Sequence, residues 1–273
     1  MKLQSYEGAK MMITLNHWDL IFSAGLVFLL AAVSLALKLG LASRLMVGAF
    51  RTTLQLGLLG FSVKFIFAQE GFGWIVLISS VMLLAAGREV LARQKRPFKG
   101  PLGYALGTGS MMISSFFVAL FALYFLIEAK PWYQPQYAIP LLGILLGNTM
   151  NGISLGLDRL TSLSWEKRFE IEGRLLLGQS AKQSILLIKQ EAFRIGLTPI
   201  VNTMAAAGLV SLPGLMTGQI LAGGEPFEAA KYQIMIIFLI VAGTGFGILF
   251  ALQLASAKLF DERMRLRLDR LKT

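Results

Sequence analysis

Long apolar runs of about twenty residues, parted by short basic stretches, limit what this chain can become more than any other feature. A helix that crosses the hydrocarbon of a bilayer needs about 20 apolar residues in succession. Inside lipid the backbone must satisfy its own hydrogen bonds, and open strands cannot. The chain therefore reads as an all-α polytopic membrane protein, a single bundle over residues 1–273. Hydrophobic residues make up 55% of it and charged residues only 15%, with a mean hydropathy of +0.66. A soluble domain carries about 25% charge. The first run, Leu20 to Leu37, exceeds a usual signal-peptide core and reads as a retained span.

Seven spans are predicted, at about 19–38, 45–67, 73–92, 102–127, 136–157, 198–222 and 226–257. Their charges are lopsided. Four regions gather most of the cations: Lys38 and Arg44; Arg88, Arg93, Lys95, Arg96 and Lys99; the stretch from Arg159 to Arg194; and the tail from Lys258 to Lys272. Seven alternating spans put all four on one side and leave Lys2, Lys10, Lys64, Lys130 and Lys231 on the other. The positive-inside rule then sets the N-terminus outside and the C-terminus in the cytosol, in the cytoplasmic (inner) membrane. The net charge of +11 follows from these loops, so the lipid bilayer, not nucleic acid, is its partner. With no cysteine and only His17, the chain lacks disulfides, thiolate metal sites, thiol catalysis and any histidine cluster of its own.

Small residues recur at helical spacing. Gly103 and Gly107, Gly143 and Gly147, and Gly152 and Gly156 are each four apart. Such pairs let helix backbones approach closely, within the bundle or across a dimer interface.

The region 159–195 is a polar insert between apolar neighbours. Ser164 is a candidate cap for a first helix, with Glu166 in its first turn, and Phe169, Leu175 and Leu176 give it a partial apolar face. Leu177-Gly178 ends it, because glycine accepts the left-handed backbone that terminates helices. Ser180-Ala-Lys-Gln183 fits a capping box for a second helix, which Ile185, Leu186, Ile188 and Phe193 continue toward the membrane. Physics alone leaves two readings: a knob for a groove on another protein, or an amphipathic segment resting on lipid headgroups.

The sixth span carries its own signal. Thr198 and Pro199 look like a helix start, and Ser211-Leu-Pro213-Gly214 is expected to break or kink the helix inside the apolar run. Discontinuous helices often build transporter sites; a kink used only for packing is the plain alternative.

Two resemblances bear on these features. Glu172, Gly178 six residues later and Ile188 ten further on resemble the coupling loop of ABC-transporter permeases, Glu-Ala-Ala, three residues, Gly, nine residues, Ile-x-Leu-Pro. Gly173 and Arg174 stand where that pattern has alanines, and Gln190-Glu191 where it has Leu-Pro. The run Leu197 to Met235, above all Gly208-Leu-Val-Ser-Leu-Pro-Gly-Leu-Met216 and Glu225-Pro226 through Gln233, resembles the Fet-type iron-export ABC permeases. That family includes plant permeases linked to aluminium tolerance. Arg51-Thr-Thr-Leu-Gln55-Leu and Gly147-Asn148 also look like its members, and the likeness spans about 44 to 258. It implies an ABC-permease-like bundle and an export role. It also implies a separate ATP-binding subunit docked on a cytosolic coupling hairpin through Glu172, Gly173, Arg174, Gly178, Ser180, Gln183 and Ile188. It leaves the cargo open between iron or another metal, a nucleotide sugar and other anionic small molecules.

Polar residues at membrane depth are the candidate translocation path: Arg51, Gln55, Asn148, Asn151, Asn202, Thr203, Met204, Ser211, Pro213, Gly214, Met216 and Gln219. Intramembrane charge usually faces a cavity or partner, although Arg51 can also snorkel to the interface. Asn148 and Asn151 coordinate cargo or tie helices together. Met111, Met112, Met150, Met204, Met216 and Met235 offer soft ligands but also fill irregular packing. No carboxylate or histidine lies centrally for ferrous iron, so the metal ligands stay unknown.

The chain has no Gly-x-x-x-x-Gly-Lys-Ser/Thr phosphate loop. It is expected to be a transport subunit, not an enzyme, with no bound cofactor; ATP and Mg belong to the partner. Two ATPase chains per transporter imply a homodimer. A proton-driven secondary carrier is the alternative, but Glu128 and Asp158 sit only at span ends. An intramembrane enzyme lacks its residues.

Overall fold

The structure, a computed structural model, describes residues 16–68 and 71–272. Lys2, Lys10 and the side chain of Lys64 lie outside the described residues. The helices are α1 (His17–Ala36), α2 (Ala42–Ala68), α3 (Phe72–Ala92), α4 (Pro101–Phe121, continued by a π-helical turn at Ala122–Leu126) and α5 (Pro135–Glu166). They continue with α6 (Arg168–Leu176), α7 (Ala181–Ser184), α8 (Leu186–Ala206), α9 (Gly214–Leu221) and α10 (Pro226–Lys258). Among the described residues there is no strand, only isolated bridges. The helices begin where local chemistry allows. Asn16 and Asp19 form a capping box on α1, and Pro101, Pro135 and Pro226 stand in the first turns of α4, α5 and α10, where a missing N–H costs nothing.

The chain packs as two compact units. One holds α1 and α2 with residues 221–224. Its helices meet across a tight turn in which the Leu39 N–H donates to Ser34 O (2.9 Å) and the Leu41 N–H to Ser34 Oγ (3.2 Å). Ala31, Ser34 and Ala42 are buried, and the large apolar side chains of this hairpin are mostly exposed, as lipid-facing helices require.

The other unit spans 71–220 and 225–272. Its axis is α5, which packs on α3, α4, α8 and α10; Leu145, Ile153, Leu157 and Leu160 are at most 1% exposed. Glycines set the closest approaches. A Cβ on Gly196 of α8 would lie 2.7 Å from the Gly152 carbonyl oxygen of α5, and one on Gly247 of α10 would lie 2.6 Å from Thr149 Cγ2. Gly103 and Gly107 press on Leu91 and Val90 of α3, each at 2.9 Å from an added Cβ. Gly147, in contrast, faces open space. Buried Ser110, Ser114, Ser115, Thr149 and Thr244 add further small side chains on α4, α5 and α10.

Among the described residues, five helices are long and apolar enough to cross a membrane: α1, α3, α4 with its π turn, α5 and α10. In α2, Arg44, Arg51, Thr52, Thr53 and Gln55 dilute the apolar run. The sixth expected span is interrupted, as Ser211-Leu-Pro213-Gly214 foretold: α8 stops at Ala206 and α9 starts at Gly214. Between them Gly208 takes φ +84°, and the N–H groups of Val210 and Ser211 both reach Ala206 O.

Two expected helix starts are corrected. Ser164 caps nothing; it is buried inside α5, its Oγ donating to Leu160 O at 2.7 Å. Burial of Leu157, Leu160 and Leu163 carries α5 through. Thr198 and Pro199 lie within α8, where Thr198 Oγ1 donates to Arg194 O at 2.7 Å. Buried Ile188, Ala192 and Gly196 start the helix earlier than the proline signal suggested, and Pro199 removes one hydrogen bond without ending it. With 32 residues, α5 is about 48 Å long at 1.5 Å per residue and overhangs a hydrocarbon layer of about 30 Å.

Gly196→Ala should therefore destabilise the protein by about 1–3 kcal/mol through overpacking against backbone. Gly147→Ala should be neutral. Thermal melting of both variants in detergent checks the contrast.

Candidate functional site

The far ends of α5 and α8 carry a knob built by α6 and α7. Ile171, 1% exposed, is the buried residue of α6. A Schellman closure ends that helix: the Gln179 N–H donates to Arg174 O (3.1 Å) and the Gly178 N–H to Leu175 O (3.0 Å), with Gly178 at φ +86°. Ser180 and Gln183 then form the expected capping box on α7, the Ser180 N–H donating to Gln183 Oε1 at 3.0 Å. Ile185 and Ile188 are buried and pin the returning chain. Of the residues singled out for docking, Glu172, Gly178, Ser180 and Gln183 are exposed, Gly173 and Arg174 are half-buried, and Ile188 belongs to the core. Arg174 pairs with Glu170 at 2.6 Å. The most exposed apolar side chains of the knob are Leu176 (89%) and Leu177 (84%). The sequence reading assigned Leu177 only a helix-ending role; its place in the last turn before Gly178 was the signal available.

Struts hold the knob's base. Arg159 of α5 and Glu191 of α8 form a two-pronged ion pair, and the Arg159 guanidinium holds the Glu191 carboxyl below the usual carboxylate range. The Lys95 N–H donates to Asp158 Oδ1 at 2.6 Å. Arg96 sits 4.3 Å over the Trp165 ring, and Arg168 lies 4.4 Å over Phe169.

The tail after α10 is structured, which its sequence of mixed charges did not announce. Leu271 is fully buried and pairs with Phe98. The Lys99 N–H donates to Arg270 O (2.7 Å) and the Lys272 N–H to Pro97 O (2.9 Å). Asp261 accepts the N–H groups of Arg265 (2.9 Å) and Arg263 (3.0 Å), which hold its carboxyl below the ordinary range. Arg267 lowers Asp269 to about 2.

The candidate path residues differ in what they bond. Arg51 and Gln55 lie exposed on α2, in the other unit. Asn148 donates to its own helix at Ile144 O (2.8 Å), and Asn151 accepts from Arg93 at the end of α3, a tie between helices. Thr203 donates to Pro199 O (3.0 Å). Met204 and Ser211 are exposed, Pro213 accepts from Thr217, Gly214 opens α9, and Met216 and Gln219 are half-buried on it. Asn202 alone of this set lines a groove of about 690 Å³ beside α8 and α10, where Lys189, Gln190, Arg194 and Thr198 supply the other polar groups. Among the described residues, no three His, Asp or Glu side chains gather to hold a metal ion.

Asp261 and Asp269 have lowered pKa values, so their contribution is full above about 4, the unfolded range, and is lost as the pH falls through the folded values. The protection of the Arg267–Leu271 amides, as the ratio of intrinsic to observed exchange rate, should stay high from neutral pH to about 4 and fall toward about 2. Asp261→Asn should open the tail at neutral pH, seen as trypsin cleavage after Arg263 and Arg265 with the helices uncut.

Comparison with known proteins agrees with these features. A family model described as an uncharacterised protein family, UPF0014, matches residues 17–260. A UPF0014 membrane protein of Synechocystis sp. is 37% identical over 84% of this chain and 88% of its own length. The Arabidopsis thaliana protein ALUMINUM SENSITIVE 3 is 33% identical over 80% of this chain and 79% of its own. The probable iron export permease protein FetB of Escherichia coli is 27% identical over 92% and 96%. No solved structure matches. An all-helical, multi-pass membrane protein by its fold, the chain belongs to the UPF0014 family.

Proposed function

We propose that this chain is the membrane subunit of an ATP-driven exporter, moved by a separate ATP-binding subunit seated on the α6–α7 knob, and that its cargo is iron or another metal. One observation carries the reading. The knob stands on the ends of two packed helices and holds Leu176 and Leu177 out to solvent beside exposed Glu172, Gly178, Ser180 and Gln183. Apolar side chains held out at the bend of a capped hairpin suit a protein groove better than a lipid surface, because they form a tip at Leu176 and Leu177 and not a continuous apolar face along a helix. The name of the FetB relative supports iron as cargo.

In this reading α1 to α5, the broken α8–α9 segment and α10 are seven spans, with the N-terminus outside and the basic end in the cytosol. The protein works as a homodimer in the cytoplasmic membrane with two ATPase chains, which bind the ATP and Mg. The path runs between the two copies. Closure of the motor moves the knobs and rocks the bundles between inward-open and outward-open states. The groove with Lys189, Arg194 and Asn202 favours a second cargo class, an anionic small molecule or a metal carried as an anionic complex.

The complex should purify with an ATP-binding protein in about equal amounts. Leu177→Asp, Glu172→Lys or Gly178→Val should release it; the last forces a side chain into a left-handed conformation at a cost of about 1–2 kcal/mol. Inverted vesicles holding both subunits should take up iron only with ATP. Uptake by this chain alone, or uptake driven by a pH gradient, overturns the proposal.

A further inference from the structure

The tail does more than close the bundle. It lies beside the knob, and a groove of about 560 Å³ separates Leu175, Leu176 and Gly178 from Arg263, Met264 and Leu266. At the tip of the tail the Asp261 carboxylate accepts two backbone N–H groups and the Arg265 Nε (2.8 Å). That clasp holds Met264 at φ +57°, a conformation that a non-glycine residue keeps only when its surroundings impose it. The result is an apolar side chain, 53% exposed, held out on one wall of the groove while Leu176, 89% exposed, stands on the other. Neither covers the other. The charge of the rim is equally unbalanced. Arg265 is engaged by Asp261, Glu172 is the one carboxylate of the lining, and among the described residues Arg263 has no side-chain partner. Leu271 and its backbone bonds anchor the tail to the α3–α4 connection, so the wall is fixed and not a loose end.

From this arrangement we infer that the tail forms the second half of the seat for the ATP-binding subunit, gripping an apolar side chain flanked by a carboxylate. The inference rests on the docking reading proposed above. The occupant follows from continuity: any body that covers Leu176 and Leu177 also lies over the groove that Leu176 walls. Its chemistry follows from the rim, where Met264 and Leu176 call for an apolar group and Arg263 for an anion.

The chain has no cysteine, which makes the test clean. Single variants Leu177→Cys, Met264→Cys and Lys130→Cys, the last at the opposite end of α4 from the anchor, are prepared in the full complex. They are treated with a short thiol-to-amine cross-linker. The knob and tail variants should both link to the ATP-binding subunit, and Lys130→Cys should not. Linking from Leu177→Cys without linking from Met264→Cys overturns the inference and leaves knob docking intact. Linking from neither ends the docking reading itself. Linking of Met264→Cys only to amine-bearing lipid headgroups makes the tail a membrane contact and overturns the inference. Independently, the double variant Arg263→Glu with Met264→Asp should raise the dissociation constant of the two subunits about tenfold, with no change in melting temperature. Aspartate tolerates the left-handed backbone, so the tip keeps its shape. An unchanged dissociation constant sinks the idea.

Discussion

The contact between α5 and α8 at Gly152 and Gly196 governs the rest of the second unit. Two helices whose backbones come within van der Waals reach cannot slide independently, because the atoms that would clash are carbonyls and not flexible side chains. Everything beyond that contact inherits its position. Both helices leave the bundle at the same end, Arg159 and Glu191 bridge them there, and the knob is the only way the chain closes the gap. The polar insert is thus less an insertion than the overhang of two structural helices. Buried Ile171, Ile185 and Ile188 extend the hydrophobic core out beyond the apolar runs.

This explains why the sequence misplaced two helix starts, and ran the helix after Ser180 on through Ile185 where α7 stops at Ser184 and α8 begins at Leu186, while the turn at Gly178 and the capping box at Ser180 fell where expected. Cap and proline signals act over one turn and are worth about 1 kcal/mol. Burial of several leucines and isoleucines along one face outweighs them. At Ser164 and Thr198, hydroxyls that look like caps instead bond back to the previous turn. At Gly178 and Ser180 no burial competes, and the local signals prevail: the Schellman closure and the capping box form where the residues implied. The apolar runs and the break near Pro213 were legible for a related reason, since backbone satisfaction in lipid leaves few choices. The ordered tail was not legible. Its anchor depends on one leucine meeting Phe98 across more than a hundred residues of chain, and no local pattern encodes such a meeting.

The polar residues of the membrane region divide by what they bond. Asn148, Thr203 and Ser114 satisfy their own helices, so they relieve the cost of a polar atom in an apolar setting without pointing to cargo. Asn151 spends its oxygen on Arg93. The polar side chains that line the groove beside α8 are Lys189, Gln190, Arg194, Thr198 and Asn202; Lys189 donates to Gln253 and Thr198 to its own helix, and the set carries positive charge and few oxygen ligands. Such a set suits an anion better than a bare divalent metal, whose hard-cation ligands would be carboxylates.

The geometry of α8 has a mechanical consequence. This helix starts at the knob and ends at the break, 21 residues later, a rod of about 30 Å. Pro199 is its soft joint, and Gly196 is the bearing where it rests on α5. One rod thus joins the knob to the broken segment, and the Gly152–Gly196 contact lies between its two ends.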